Sequence, residues 1–178
     1  MPGKRAVFLD RDGVINQAIL RDGKPYPPST IEELKIVEGA AEALGDLKQA
    51  GFLLIVVTNQ PDIARGTRSR ATVDAIHQAL RETLPVDDFF VCPHDDADRC
   101  DCRKPQPGLL LRAAEKYDIN MPRSFMIGDR WRDVDAGTSA GCATVWIDYS
   151  YREKRPAAEP SVTVDSIRAA ADWILSQS

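Results

Sequence analysis

Short apolar segments alternate along the chain with longer segments in which apolar residues recur at helical spacing. The continuous apolar run Phe52–Val57 is typical of a strand covered on both faces, and Ala6–Leu9 is a shorter strand candidate. Further strand candidates are Phe89–Cys92, Ser124–Ile127 and Thr144–Ile147. This alternation predicts an α/β fold, built on a doubly wound, Rossmann-like parallel sheet with right-handed crossovers.

Helices are predicted between these strands, and several of them carry start or stop signals. Ser69 is a suitable N-cap, and Gly51 and Gly141 are suitable C-terminal stops. The predicted helices are Ala40–Ala50, Arg70–Leu84, Pro107–Tyr117, Asp133–Ala140 and Asp165–Leu175. Two stretches, Asn16–Glu38 and Tyr149–Ser161, do not follow the alternation. We expect loops there, the first of which could lie over an active site.

Composition and charge argue against several classes of protein, namely disordered, nucleic-acid-binding and membrane proteins. The chain has 178 residues, of which 43% are hydrophobic and 28% charged, a globular rather than a disordered composition. With 23 basic and 27 acidic residues the formal net charge is -4, which disfavours nucleic acids and anionic membranes as partners. No apolar run approaches the ~20 residues of a membrane span, and no signal peptide is recognisable. We expect one cytoplasmic, monomeric domain covering residues 1–178.

Polar side chains follow the predicted strands, at the end where ligands bind in parallel α/β sheets. Asp10, Asp12 and Asp129 would repel one another if they converged without compensation, so they predict a Mg²⁺ site. The Thr58 hydroxyl and the Lys104 ammonium group on the opposite side would make this a phosphoryl-transfer site. Taken alone, the first two aspartates are explained equally well by a turn or a helix N-cap.

Cysteine and histidine are concentrated in one short segment, CPHDDADRCDC. A disulfide framework would spread its cysteines along the chain and would need an oxidising compartment. The spacing Cys-x-His-x₅-Cys-x-Cys instead supplies the closed ligand set of a structural zinc site. The predicted zinc ligands are Cys92, His94, Cys100 and Cys102. The alternative is a chance group of buried cysteines. We interpret Cys142 as a buried core residue, and His77 as a surface or packing residue instead of a metal ligand.

Four motifs occur in an order that resembles the haloacid dehalogenase superfamily of phosphohydrolases. They are Asp-x-Asp-Gly at Asp10, Thr-Asn at Thr58, Lys104, and Gly-Asp-x-x-x-Asp ending at Asp133. The stretches TNQPDIARG, CDCRKPQPG and GDRWRD are similar to small members of that superfamily without a cap domain. Two such groups are the D-glycero-D-manno-heptose-1,7-bisphosphate 7-phosphatases and the histidinol-phosphate phosphatases, which share the zinc loop. The resemblance therefore implies a capless fold with a zinc-binding loop.

The resemblance also implies a role for each candidate residue. Asp10 is the nucleophile that forms an aspartyl-phosphate, and Asp12 is the general acid and then the general base. Mg²⁺ is held by the Asp10 carboxylate, the Asp12 carbonyl and Asp129, with Asp133 in the outer shell. The implied phosphoryl ligands are Thr58 and Lys104, and the implied substrate-binding residues are Asn59, Gln60, Arg103 and Arg130.

The substrate is the least determined part of this prediction. Arg130 follows Gly-Asp as in the histidinol-phosphate group, whereas the IARG stretch and Pro107–Gly108 fit the heptose group better. Arg103 suits a second phosphate, because a guanidinium binds phosphate with two parallel hydrogen bonds. We expect a Mg²⁺-dependent phosphatase that converts a heptose 1,7-bisphosphate to the 1-phosphate. The alternatives are a histidinol-phosphate phosphatase and, in another class, a non-catalytic zinc-loop binding module.

Overall fold

Eight strands are present in residues 3–177 of the computed structural model, the part of the chain that the structure describes. In chain order they are β1 (Ala6–Leu9), β2 (Ile19–Arg21), β3 (Lys24–Tyr26), β4 (Leu53–Asn59), β5 (Asp88–Cys92), β6 (Phe125–Gly128), β7 (Ala143–Ile147) and β8 (Val162–Val164). Six of them form a parallel sheet in the order β5-β4-β1-β6-β7-β8. The predicted parallel α/β sheet is therefore confirmed.

Five α-helices connect these strands within the described residues. They are α1 (Ala40–Gln49), α2 (Arg70–Thr83), α3 (Gly108–Tyr117), α4 (Trp131–Ala140) and α5 (Ile167–Ser176). The predicted caps are present: the Ser69 hydroxyl accepts a hydrogen bond from the Thr72 amide (3.1 Å), and Gly141 ends α4 with a left-handed φ of 87°. None of the helices in residues 3–177 is long and apolar enough to cross a bilayer.

The sheet is buried on both faces, as the apolar run of its central strands predicts. In β1, Val7 and Leu9 point into a core closed by α1, α2 and α5, whereas Ala6 and Phe8 point into a second core closed by α3 and α4. Side chains of a strand alternate between faces, so a strand covered on both sides must be apolar at every position. β1 lies between β4 and β6 at the centre, and its carboxyl end carries Asp10.

Two short strands lie in one of the stretches that we predicted to be loops, and a third short strand follows the other. Within Asn16–Glu38, β2 and β3 pair as an antiparallel hairpin whose turn residues Asp22 and Gly23 have φ values of 52° and 75°. Asp-Gly favours this kind of turn because both positions need a positive φ. β8 follows directly after the second stretch. We suggested that the first of these stretches could lie over an active site, and residues 24–27 at the hairpin line the cavity described below.

Candidate active site

Three carboxylates meet at the carboxyl end of the central strands. Asp10 follows β1, Asp129 follows the adjacent β6, and Asp133 lies in the first turn of α4; an oxygen of each lies within 4.8 Å of the others. All three are nearly inaccessible to solvent. Burial, and next the negative charge of a neighbouring carboxylate, raises the pKa of Asp10 and of Asp129. The structure therefore brings together three of the predicted metal-site residues.

Lys104 places one positive charge among these acids. Its Nζ donates hydrogen bonds to Oδ1 of Asp10 (2.8 Å), to Oδ1 of Asp133 (2.7 Å) and to the Val57 carbonyl (2.7 Å). Burial lowers the pKa of Lys104, but the two carboxylates outweigh it and raise that pKa to about 12, so the side chain is a permanent cation. Asn59 fixes the backbone of Lys104 through hydrogen bonds to its N–H (3.0 Å) and its carbonyl (3.1 Å).

Asp12 is held as an anion by side chains beneath the cavity. Its Oδ1 accepts hydrogen bonds from Arg11 (2.9 and 3.1 Å) and Asn16 (3.0 Å), and its Oδ2 accepts one from Gln60 (3.0 Å). Burial opposes ionisation, but the Arg11 charge and these donors lower the pKa of Asp12. Gln60 also donates to the Thr58 hydroxyl (2.9 Å). Gln60 thus contacts both Thr58 and Asp12, and neither Thr58 nor Gln60 lines the cavity described below, although both were predicted to bind the substrate or its phosphoryl group.

Arg11 and His77 form a buried pair that the sequence did not reveal. Arg11 is fully buried, and its Nη1 donates to Nε2 of His77 at 3.1 Å. An arginine has no acceptor, so His77 must be neutral with its proton on Nδ1. Burial and then the Arg11 charge lower the pKa of His77 to about 3, and its ring stacks on Phe89 at 4.5 Å. His77 is a packing residue, as predicted, and it also supports Arg11 behind Asp12.

A cavity of about 330 Å³ opens above the acids. Its floor includes Asp10, Asp12 and Lys104, and the β2–β3 hairpin forms one wall. Cationic side chains in its lining are Lys24, Arg65, Arg103, Lys104, Arg130 and Arg132. Arg130 pairs with Glu153, and Arg103 pairs with Asp96 (2.7 Å) while its Nη1 is buried without a hydrogen-bond partner in residues 3–177. The lining also includes acidic side chains, namely Asp10, Asp12, Asp62, Asp133 and Glu153, so it is the unsatisfied Arg103 donor that suits an anionic ligand.

Comparisons with known proteins agree with this geometry. The profile of the haloacid dehalogenase-like hydrolase family matches residues 28–141, which is more than half of the chain. The chain belongs to the haloacid dehalogenase-like hydrolases. This hydrolase is 38% identical over 144 residues to the D-glycero-beta-D-manno-heptose-1,7-bisphosphate 7-phosphatase of Bordetella bronchiseptica, covering 78% of each chain. It is 34% identical over 182 residues to the enzyme of that name from Escherichia coli K12, covering 96% of this chain and 87% of the relative.

Solved structures are also similar to this hydrolase in fold and sequence. The crystal structure of D,D-heptose 1,7-bisphosphate phosphatase from B. bronchiseptica, complexed with magnesium and phosphate, matches it with a TM-score of 0.79 and 31% identity. That match covers 98% of this chain and 99% of the other. A putative phosphatase of the same superfamily from Mesorhizobium loti matches with a TM-score of 0.76 and 30% identity, over 98% of this chain and 88% of that one.

The carboxylate cluster of this hydrolase fits a hard divalent cation. Asp129 Oδ1 is buried without a hydrogen-bond partner among the described residues, whereas its Oδ2 accepts a hydrogen bond from the Tyr151 hydroxyl at 2.7 Å. An orphaned anionic oxygen in a buried site is costly unless a cation satisfies it. Asp133 differs, because Oδ1 accepts from Lys104 and Oδ2 from the Arg130 amide (3.0 Å). This pattern agrees with an inner ligand at Asp129 and an outer one at Asp133.

Gly13 makes this arrangement of carboxylates sterically feasible. Its φ is 88°, in the left-handed region that favours glycine, and a Cβ built there would collide with the Asp129 carboxylate. The same Cβ would lie 3.2 Å from the Tyr151 hydroxyl. Because Gly13 has no Cβ, the tight turn after Asp12 leaves the space that the Asp129 carboxylate and the Tyr151 hydroxyl occupy.

The predicted zinc ligands of this hydrolase form one cluster. Ligand atoms of Cys92, His94, Cys100 and Cys102 lie within 4.8 Å of one another. Separations of 3.7 Å (Cys92–His94), 3.6 Å (Cys92–Cys100), 3.3 Å (His94–Cys102) and 3.6 Å (Cys100–Cys102) are near the ~3.5–3.8 Å edges of a tetrahedron with Zn–S bonds of ~2.3 Å. The Sγ atoms of Cys92 and Cys102 are in bonding contact, so a disulfide is the alternative for that pair.

Tyr151, like Arg11 and Asn16, is a residue at this site that sequence reasoning missed. It lies in the Tyr149–Ser161 stretch, where no periodicity indicated which side chains point inward. Trp131, which directly follows Arg130, lies in α4 outside the main cavity and beside Lys154. Cys142 is buried, and its thiol donates to the Gly137 carbonyl (3.3 Å), in agreement with a packing role.

Proposed function

We propose that this hydrolase is a Mg²⁺-dependent sugar phosphatase that removes the 7-phosphate of D-glycero-D-manno-heptose 1,7-bisphosphate through an aspartyl-phosphate. The observation that carries the proposal is the convergence of Asp10, Asp129 and Lys104 beneath a cavity lined by cations. The names of relatives that align with most of the chain support the substrate. We also propose that residues 1–178 act as one monomeric, cytoplasmic domain.

In the first step, the free carboxylate oxygen of Asp10 attacks phosphorus and the bond from phosphorus to the sugar oxygen breaks. The Lys104 ammonium group holds the other oxygen, Oδ1, at 2.8 Å and orients the nucleophile. The leaving sugar oxygen takes a proton from Asp12. Asp12 is an anion in the free enzyme, and it takes up this proton from water when the negative charge of the bound phosphoryl group raises its pKa against the donors that lower it.

In the second step, Asp12 removes a proton from water and the resulting hydroxide attacks phosphorus of the aspartyl-phosphate. The P–O bond to Asp10 breaks, inorganic phosphate leaves and Asp10 is regenerated as a carboxylate. Arg11, Asn16 and Gln60 keep Asp12 ionised and aimed for this step. Dividing the hydrolysis into two displacements replaces one difficult reaction with two easier ones.

Two metals belong to the proposal. Asp10, Asp129 and the Asp12 carbonyl would hold Mg²⁺, whose bound charge screens the carboxylates from the phosphoryl oxygens so that an anionic nucleophile can approach. Zn²⁺ would be held by the four-residue Cys/His cluster in a structural role, since no ligand position remains open for water. This cluster ends directly before Arg103 and Lys104, so a bound zinc would fix both cations over the site.

The charge of the cavity supports a bisphosphate over histidinol phosphate. With Lys104 beside the reacting phosphoryl group, Arg103 retains a buried Nη1 donor that no described residue satisfies. A second phosphate would satisfy it, whereas the cationic amine of histidinol phosphate would be repelled. The complete set of acids and Lys104 argues against a non-catalytic binding module.

Initial-rate kinetics with both substrates in one Mg²⁺ buffer test this proposal. We expect kcat/KM for the heptose bisphosphate to exceed that for histidinol phosphate by at least ~100-fold, equivalent to about 2.7 kcal/mol in the transition state. Remote binding of the second phosphate would raise turnover as well as affinity. A preference for histidinol phosphate, or no turnover of either compound, would contradict the proposal.

A further inference from the structure

We infer that Tyr151 is a positioning residue that orients the Asp129 carboxylate for magnesium, an inference that rests on the proposed Mg²⁺ dependence. Its hydroxyl donates to Oδ2 of Asp129 at 2.7 Å. That contact leaves Oδ1, which is buried without a partner among residues 3–177, as the oxygen available to the cation. The two oxygens of this carboxylate therefore have separate tasks.

The hydrogen bond has a defined direction. The phenol is the donor, because the oxygens of an ionised carboxylate can only accept. A charge-assisted hydrogen bond of this kind restricts the rotation of a carboxylate. The Asp129 main chain is fixed too, since the Trp146 indole donates to its carbonyl at 3.3 Å. Backbone and side chain of the metal ligand are therefore held by different aromatic residues.

The segment Tyr149–Arg155 makes several further contacts on either side of Tyr151. Tyr149 lies beside it, with ring centroids 5.7 Å apart, and donates its hydroxyl to the Gly13 carbonyl at 3.0 Å. Further along, the Arg152 amide donates to the Gly23 carbonyl of the β2–β3 hairpin (3.1 Å), and Glu153 pairs with Arg130. The segment is thus tied to the catalytic turn, to the hairpin and to a cavity arginine.

Tyr149 provides a matched control for Tyr151. Both tyrosines belong to one segment and each donates a single hydroxyl hydrogen bond near Gly13, but only Tyr151 contacts the Asp129 carboxylate. Replacing either by phenylalanine removes one oxygen and keeps the ring. Outer-shell partners of metal ligands typically contribute a factor of 10–100 to metal affinity. We expect a loss of Mg²⁺ affinity in this range for Tyr151→Phe and not for Tyr149→Phe.

Isothermal titration of Mg²⁺ into the substrate-free enzyme tests the inference. We expect Tyr151→Phe to raise the Mg²⁺ Kd at least ~10-fold and Tyr149→Phe to change it less than ~2-fold. Saturating Mg²⁺ should restore most of kcat in Tyr151→Phe, because the reacting groups are intact. Thermal unfolding without Mg²⁺ should give similar Tm values for both variants, which separates positioning from folding.

The possible outcomes separate the inference from the proposed function. An unchanged Mg²⁺ Kd in Tyr151→Phe, or an equal loss in Tyr149→Phe, would overturn the inference. In another outcome, Tyr151→Phe binds Mg²⁺ more weakly, and the wild type binds Mg²⁺ but hydrolyses no heptose bisphosphate. That result would support the inference and overturn the proposed substrate. A wild type that binds no Mg²⁺ would overturn both.

Discussion

Replacing His77 by glutamine should remove a large part of the pH dependence of stability. In the native protein His77 accepts the Arg11 Nη1 hydrogen bond through Nε2, and burial together with the Arg11 charge lowers its pKa to about 3. In the unfolded chain its pKa returns to ~6.5. The carboxamide oxygen that His77→Gln introduces can accept the same hydrogen bond but does not titrate.

The size and sign of the effect follow from the two pKa values. Between pH 7 and pH 5 the unfolded histidine, with its pKa of ~6.5, takes up about 0.7 proton, whereas native His77 takes up almost none. Protons therefore favour the unfolded state, and stability falls as the pH drops below ~6.5, continuing towards pH 3. Integrating over pH 7 to 5 gives a loss of about 2 kcal/mol from this one group. Because His77 is only 5% exposed, solvent screening reduces the figure little.

Urea unfolding at pH 7 and pH 5 measures this difference directly. We expect wild type to lose about 2 kcal/mol more unfolding free energy between the two pH values than His77→Gln does. Loss of the stacking contact with Phe89 lowers the stability of the variant at both pH values, so it cancels in the comparison. Equal losses in the two proteins would show that His77 titrates alike in both states and would refute the assignment of a neutral, buried acceptor.

Two further variants test the zinc loop and the second-phosphate site. Freshly purified, reduced protein should contain about one zinc per chain, and a zinc-free wild type would contradict the closed site. Cys100→Ser should lose the zinc and lower the Tm, whereas the buried control Cys142→Ser should retain the zinc. Arg103→Ala should lower kcat/KM for the bisphosphate relative to a small aryl phosphate by ~10-fold or more, the effect of one charge-assisted hydrogen bond. Arg112→Ala, which removes an exposed arginine paired with Asp101, should leave that ratio unchanged; equal ratios in all three proteins would refute the role of Arg103.

The architecture was predictable because its central elements have long, unambiguous patterns. All five predicted strands and all five predicted helices are present in the described residues, with ends displaced by one or two positions. β8 escaped prediction because three residues at the edge of the sheet carry too little periodicity to distinguish a strand from coil. The β2–β3 hairpin did carry a signal, the Asp22-Gly23 turn between short strands, which the surrounding glycines and prolines obscured.

The location of the site was predictable because the carboxyl ends of parallel strands meet at one edge of the sheet. Asp10, Asp129 and Lys104 follow strands or loops that meet at one edge, so their convergence follows from topology. The direction of each side chain does not follow from topology. Gln60, for example, points down to Asp12 and Thr58 instead of lining the cavity, because its amide donates hydrogen bonds to both of them. Tyr151 reaches Asp129 from a coil segment whose path depends on contacts distant in sequence.

Rapid acid quench during steady-state turnover of the heptose bisphosphate tests the central claim most directly. Mass spectrometry of the quenched protein should find a base-labile acyl phosphate on the peptide that contains Asp10. Asp10→Asn should show neither this phosphate nor turnover, while it keeps its fold and its zinc content. A phosphoryl group on another residue, or full activity of Asp10→Asn, would contradict the assignment of Asp10 as the nucleophile.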